Sequence, residues 1–122
     1  VTDKAVRDKL SKMNADVMGA KIDPFYGAPV VLVVLADKSV GTYKYDGSLV
    51  MENLMLAANA VGLGSCWIHR AKEEFESEEG RELLRQLGIS GDYEGIGHCI
   101  LGYPAGDIPA EKPRKENWVY KI

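Results

Sequence analysis

Val6, Leu10, Met13 and Val17 recur at intervals of four, three and four residues, the spacing of one helix face. Lys4, Arg7, Asp8, Lys9 and Lys12 fill the positions between them. The pattern predicts an amphipathic surface helix, capped by Thr2 and closed near Gly19. A loop with two prolines and a glycine, IDPFYGAP, follows at 22–29. Residues 30–36, VVLVVLA, are β-branched and apolar without alternation. A strand apolar on both faces must be covered on both, which predicts a central strand.

The polar stretch DKSVGTYKYDGS offers Asp46 or Ser48 as an N-cap for the next helix. That helix, LVMENLMLAANAVGLG, is apolar nearly all round, with Glu52, Asn53 and Asn59 as its polar interruptions. Such a helix is buried on most sides. One small chain can hardly wrap it, so a partner subunit is expected. Gly62 is placed to stop it. SCWIH then reads as a short strand, and residues 71–87 are again helical, with Ser77 able to cap EEGRELLRQL and Gly88 ending it. YEGIGHCILGYP, 93–104, is a strand closed by Pro104. The tail AGDIPAEKPRKENWVYKI is a proline-rich, basic arm that finishes in a strand-like WVYKI. The order α-β-α-β-α-β-arm-β places the chain in the α/β or α+β class, with a mixed sheet.

Composition removes several classes of function. The 122 residues are 46% hydrophobic and 27% charged, the balance of a globular domain. A net charge of −3, from 15 basic and 18 acidic residues, makes nucleic acid an unsuitable partner. No apolar run approaches the roughly 20 residues that cross a bilayer, so no membrane partner is expected. Cys66 and Cys99, both in apolar segments, read as reduced thiols of a cytoplasmic protein.

The stretch GLGSCWIH, 62–69, carries the most chemistry. Cys66 with His69 or His98 would make a nucleophile and its base. Against that, no Asp or Asn is placed to orient the histidine, and a thiol in an apolar strand is usually a small buried hydrophobe. Two separated Cys and two His have no recognised metal spacing. Gly62 and Gly64 make a tight turn between helix and strand, or let the strand end lie against a planar ring. In EKPRKE, Lys112 and Arg114 share one side of an extended arm. They form a solvated charge run, the commoner case, or a grip for a phosphate.

Taken together, GAPVVLVVLAD, NLMLAANAVGLGSCWIH, LGYPA and KPRKENWVYKI, in this order, resemble the nitroreductase family of flavin enzymes. The resemblance implies a three-layer α+β fold of α/β type. Its sheet would be mixed, mainly antiparallel and flanked by helices, in a single nitroreductase-like domain over 1–122. It implies a homodimer with FMN at the subunit interface, each C-terminal strand exchanged onto the partner, and residues 48–61 as the interface helix. NAD(P)H would reduce the flavin at N5, and a nitroaromatic, quinone or similar acceptor would then reoxidise it in ping-pong fashion. The backbone beside the flavin falls on Trp67, Ile68 and His69, with Cys66 as packing, and the phosphate contacts fall on Lys112 and Arg114. No side chain is expected as a catalytic acid or base.

This chain departs from the family in two respects. Relatives begin upstream with an arginine- and serine-rich phosphate-binding segment and a ribityl-binding loop, so the chain reads as N-terminally incomplete. The alternative is a truncated, non-catalytic dimeric remnant with half a flavin site. His69 also stands where many relatives carry glycine.

Overall fold

The computed structural model describes residues 1–107 and 110–122; the part of the proline-rich arm at 108–109 lies outside the described residues. The elements run α1 (Lys4–Met18), β1 (Val30–Asp37), α2 (Tyr43–Ala60), β2 (Gly64–Ile68), α3 (Ala71–Glu76), α4 (Glu78–Gln86) and β3 (Tyr93–Gly102). The cap of α1 is Asp3 and not Thr2: its carboxylate accepts the Val6 N–H at 2.9 Å. Both residue types cap well, and the fold settles a shift of one position. Gly19 closes the helix at φ +71°, as expected. Arg7, expected on the surface, is buried, and its guanidinium donates to Ala28 O and Asp23.

The sheet order is β1-β3-β2, and both pairings are antiparallel. β3 is therefore the middle strand. β1, expected to be central, is an edge among the described strands: the N–H and C=O of Val31 turn away from β3 and pair with Val1 at 3.0 and 2.7 Å. Its doubly apolar pattern reflects layers above and below it, which is a separate matter from its place in the sheet. A register shift at Val34/Leu35 leaves Ile96 as the extra residue of a bulge in β3.

Helices cover both faces, giving three layers. On one face Met51, Leu54 and Met55 of α2 pack against Leu32, Val34, Trp67, Cys99 and Leu101. On the other, Leu10 and Met13 of α1, Phe75 of α3 and Leu83 of α4 pack with Phe25, Val31, Ile68 and Ile100. Cys66, read as a buried packing group, is exposed in the chain.

α2 begins earlier than expected, after Thr42. Asp46 lies in its first turn, and Ser48 lies inside the helix, donating back to Lys44 O at 2.7 Å. Gly47 sits mid-helix because Ile96 leaves no room: a Cβ there would lie 2.5 Å from Ile96 Cγ1. The chain itself buries only Gly47, Met51 and Ala58 of α2. Leu49, Leu56 and Val61 are 64%, 57% and 70% exposed. Ser77 breaks the third helical segment into two by adopting extended backbone, and its hydroxyl accepts the Gly80 N–H at 3.0 Å. Beyond β3 the described residues form no helix or strand, including the strand-like end at 118–122, whose side chains are exposed.

Candidate functional site

The end of β2 organises the site. Alternation along the strand sends Ile68 into the core and Trp67 to the α2 face. His69, the first residue past the strand, is exposed. Trp67 and His69 line one open pocket of about 220 Å³, completed by Arg70 and Lys72 at the start of α3, Lys44 and Ser48 of α2, and Glu94 to Ile96 of β3. The sequence thus brings together two of its three expected strand-end residues and turns the third inward.

Polar groups beside the pocket are unevenly satisfied. The indole of Trp67 is wedged against Gly97, and its buried Nε1 has no hydrogen-bond partner among the described residues. Glu94 is nearly buried, accepts from the Tyr43 hydroxyl at 3.1 Å, and lies 3.4 Å from Lys44 Nζ and 4.0 Å from Lys72 Nζ. Tyr43 and Glu94 together hold the Lys44 ammonium above its ordinary value.

Beneath the pocket lies a network that sequence reasoning missed. Asn14 of α1, fully buried, donates through Nδ2 to the His69 carbonyl at 2.7 Å and to Glu74, while its Oδ1 accepts from Arg70 Nε at 3.0 Å. Glu74 in turn meets His98 Nε2 at 2.9 Å, and His98 packs between Phe25 and Phe75. Glu74 Oε2 and His98 Nδ1 have no partner among the described residues. The partners lie up to 60 residues away, and no local pattern reports that separation.

The thiol alternative finds no support in the geometry. Cys66 Sγ makes its contact with Trp67 O, at 3.7 Å, and His98 is engaged with Glu74. Burial pushes the Cys99 thiol up. Among the described residues no group of three or more His, Cys, Asp or Glu could hold a metal ion. No described helix is long and apolar enough to cross a membrane.

Lys112 and Arg114 are exposed and line one groove with Glu111 and Pro113. Arg114 also borders a second groove with Trp118. The structure brings these two cations together. It does not bring them to the Trp67–His69 pocket within one chain.

A three-layer α+β domain, with a pocket at one strand end and a basic arm beyond its last strand, is the class this geometry defines. The nitroreductase family model matches residues 2–103, and the chain belongs to that family. Over 103 residues it is 33% identical to an Archaeoglobus fulgidus protein bearing the name NADH dehydrogenase/NAD(P)H nitroreductase. That match covers 80% of this chain and 56% of the relative, so the chain spans about half of that protein's length. Among solved structures, a Bacteroides fragilis nitroreductase with bound FMN superimposes with a TM-score of 0.86 at 23% identity, covering all of this chain and 73% of its own. A Desulfitobacterium hafniense nitroreductase with bound FMN gives 0.82 at 21% identity, with the same coverage. At these identities the likeness establishes the shared three-layer fold.

Proposed function

We propose that the chain functions as an FMN-dependent oxidoreductase, passing hydride from NAD(P)H to a nitroaromatic, quinone or similar electron-poor acceptor. The observation that carries this reading is the family match over residues 2–103, which includes the whole strand end with Trp67, Ile68 and His69. The FMN bound in the Bacteroides and Desulfitobacterium structures, and the NAD(P)H in the archaeal relative's name, indicate the cofactor and the reductant.

The residues present fit this cofactor in chemical type. The pocket offers an apolar wall at Trp67 and Ile96 and polar backbone at the end of β2. Lys112 and Arg114 are exposed cations suited to a phosphate, with Arg capable of a two-pronged contact. At about 220 Å³ the pocket is smaller than the roughly 300–1,000 Å³ of most small-molecule sites. A second copy supplies the remainder in this reading. The apolar face of α2 around Leu49 and Leu56 packs against that copy in a homodimer, and the arm carrying Lys112 and Arg114 reaches across to it.

Flavin supplies the hydride chemistry when bound. The chain's own part is to place backbone at Trp67–His69 beside the reactive ring, hold the phosphate with Lys112 and Arg114, and exclude water with Trp67. Acceptors of this class take protons from water, so no side chain is assigned as acid or base.

The two-step course is tested by adding one equivalent of NADPH, or of NADH, to the FMN-loaded protein without oxygen or acceptor. Full bleaching of the flavin band, followed by its return when a nitroaromatic or quinone is added, is the expected result. A protein that never takes up FMN would instead support the second reading, a dimeric remnant without turnover. The separation of the cations from the pocket within one chain is the observation that favours that alternative.

A further inference from the structure

The corner that follows β2 is held in an unfavourable backbone conformation. Arg70 has φ +78° and ψ 5°, in the left-handed region, although it carries a full side chain. Left-handed backbone is unfavourable for an L-residue with a side chain and persists only where its surroundings enforce it. Three things surround this corner. α3 begins at Ala71, immediately after it. The His69 carbonyl, just before it, accepts from Asn14 Nδ2 at 2.7 Å. The Arg70 side chain donates through Nε to Asn14 Oδ1 at 3.0 Å.

Asn14 therefore grips both residues of the corner with opposite ends of one amide. Its orientation is not arbitrary. The two groups facing Nδ2, the His69 carbonyl and Glu74, are acceptors, and the one group facing Oδ1, the Arg70 guanidinium, is a donor. A flipped amide would set acceptor against acceptor and donor against donor. Glu74 fixes the amide from behind, and His98 fixes Glu74. Asn14 and Glu74 are 0% and 1% exposed, so water does not compete for these bonds.

We infer that Asn14 is a positioning residue. From α1 it holds His69 and Arg70 in the strained corner that presents the end of β2 to the bound flavin. This inference rests on the flavin reading for its function, and on the structure alone for the clamp. It explains how a chain with Arg at 70 sustains a turn that glycine would adopt freely. The clamp replaces the glycine.

The test is a double-mutant cycle on the full chain with Asn14→Ala and Arg70→Gly. Two readouts are taken: the Kd for FMN, and amide hydrogen exchange at residues 69–71 of the flavin-free protein. Asn14→Ala is expected to speed exchange at the corner and to weaken FMN about tenfold, the effect of losing the two hydrogen bonds that hold the corner. In the Arg70→Gly background, where the left-handed turn needs no support, the same substitution is expected to weaken FMN less than about threefold.

A merely structural Asn14 would give equal losses in both backgrounds, and that additivity overturns the inference. Unchanged exchange at 69–71 in Asn14→Ala overturns it as well. If Asn14→Ala does not fold, Asn14→Ser, which keeps a short donor and acceptor, takes its place in the cycle. Should the wild-type chain not bind FMN, the flavin reading fails, while the exchange data still decide whether Asn14 clamps the corner.

Discussion

The indole of Trp67 on β2 lies flat enough against Gly97 on β3 that a Cβ at position 97 would stand 2.8 Å from its Cδ1 and nearer still to Nε1. The indole can lie here only because residue 97 has no side chain. Gly97→Ala is expected to push the indole off the strand and destabilise the fold by about 1–3 kcal/mol, the range for overpacking. Urea unfolding followed by tryptophan fluorescence measures both effects. A change below about 0.5 kcal/mol with an unshifted emission spectrum would mean that the indole has room to move.

Arg7 and Asp23 bind the first helix to the loop after it. Burial by itself would raise the Asp23 carboxyl. Donors from Arg7, Ser11, Gly27 and Phe25 outweigh burial and hold it well below the usual carboxylate range. A depressed carboxyl contributes stability that is complete above its unfolded value, near 3.9, and is lost as pH falls from there toward its folded value. Wild-type stability should thus decline as pH drops below about 4–5, and Asp23→Asn should flatten that part of the profile. The side chain is 36% exposed, so solvent screening keeps the neutral-pH loss to about 1–2 kcal/mol. Thermal melts of both proteins from neutral to acid pH make the comparison; parallel curves would contradict the assignment.

Cys66 and Cys99 differ in access. Cys66 is exposed on β2, whereas Cys99 is fully buried on β3 with its thiol pushed up by burial. Alkylating agent at neutral pH is expected to label Cys66 in the native chain and Cys99 only after unfolding. Cys66→Ala should retain flavin reduction by NAD(P)H. Complete loss of turnover in a folded Cys66→Ala protein would revive the nucleophile reading.

Lys112 and Arg114 are exposed and make no hydrogen bond or ion pair with the fold among the described residues. Replacing both with alanine should change apo stability by less than about 0.5 kcal/mol. It should weaken FMN by tenfold or more if each supplies a charge-assisted bond to the phosphate. Isothermal titration alongside a melt separates the two effects, and unaltered FMN affinity would remove these residues from the site.

Much of this architecture could be read from spacing. The apolar stripe of α1, its glycine stop, the cap at Ser77 and the extent of β3 all depend on neighbours within a few residues. Three features did not. The start of α2 was hidden because Asp46-Gly47-Ser48 looks like a turn, and Gly47 is explained only by Ile96, from the far end of the chain. The edge position of β1 was hidden because an apolar run reports cover above and below a strand, not neighbours beside it. The Asn14 network was hidden because its members lie on α1, the β2–α3 corner, α3 and β3. The apolar face of α2 around Leu49 and Leu56 is open in a single chain and is the face the proposed dimer would cover.

In the proposed function the flavin site is shared between two copies of the chain. Sedimentation of the FMN-loaded protein, followed at the visible flavin band, tests that most directly. Bound flavin is expected to sediment as one species of twice the 13.4 kDa chain mass, with one FMN per chain. Flavin that stays at the meniscus while protein sediments, or that travels with a single chain, would contradict it.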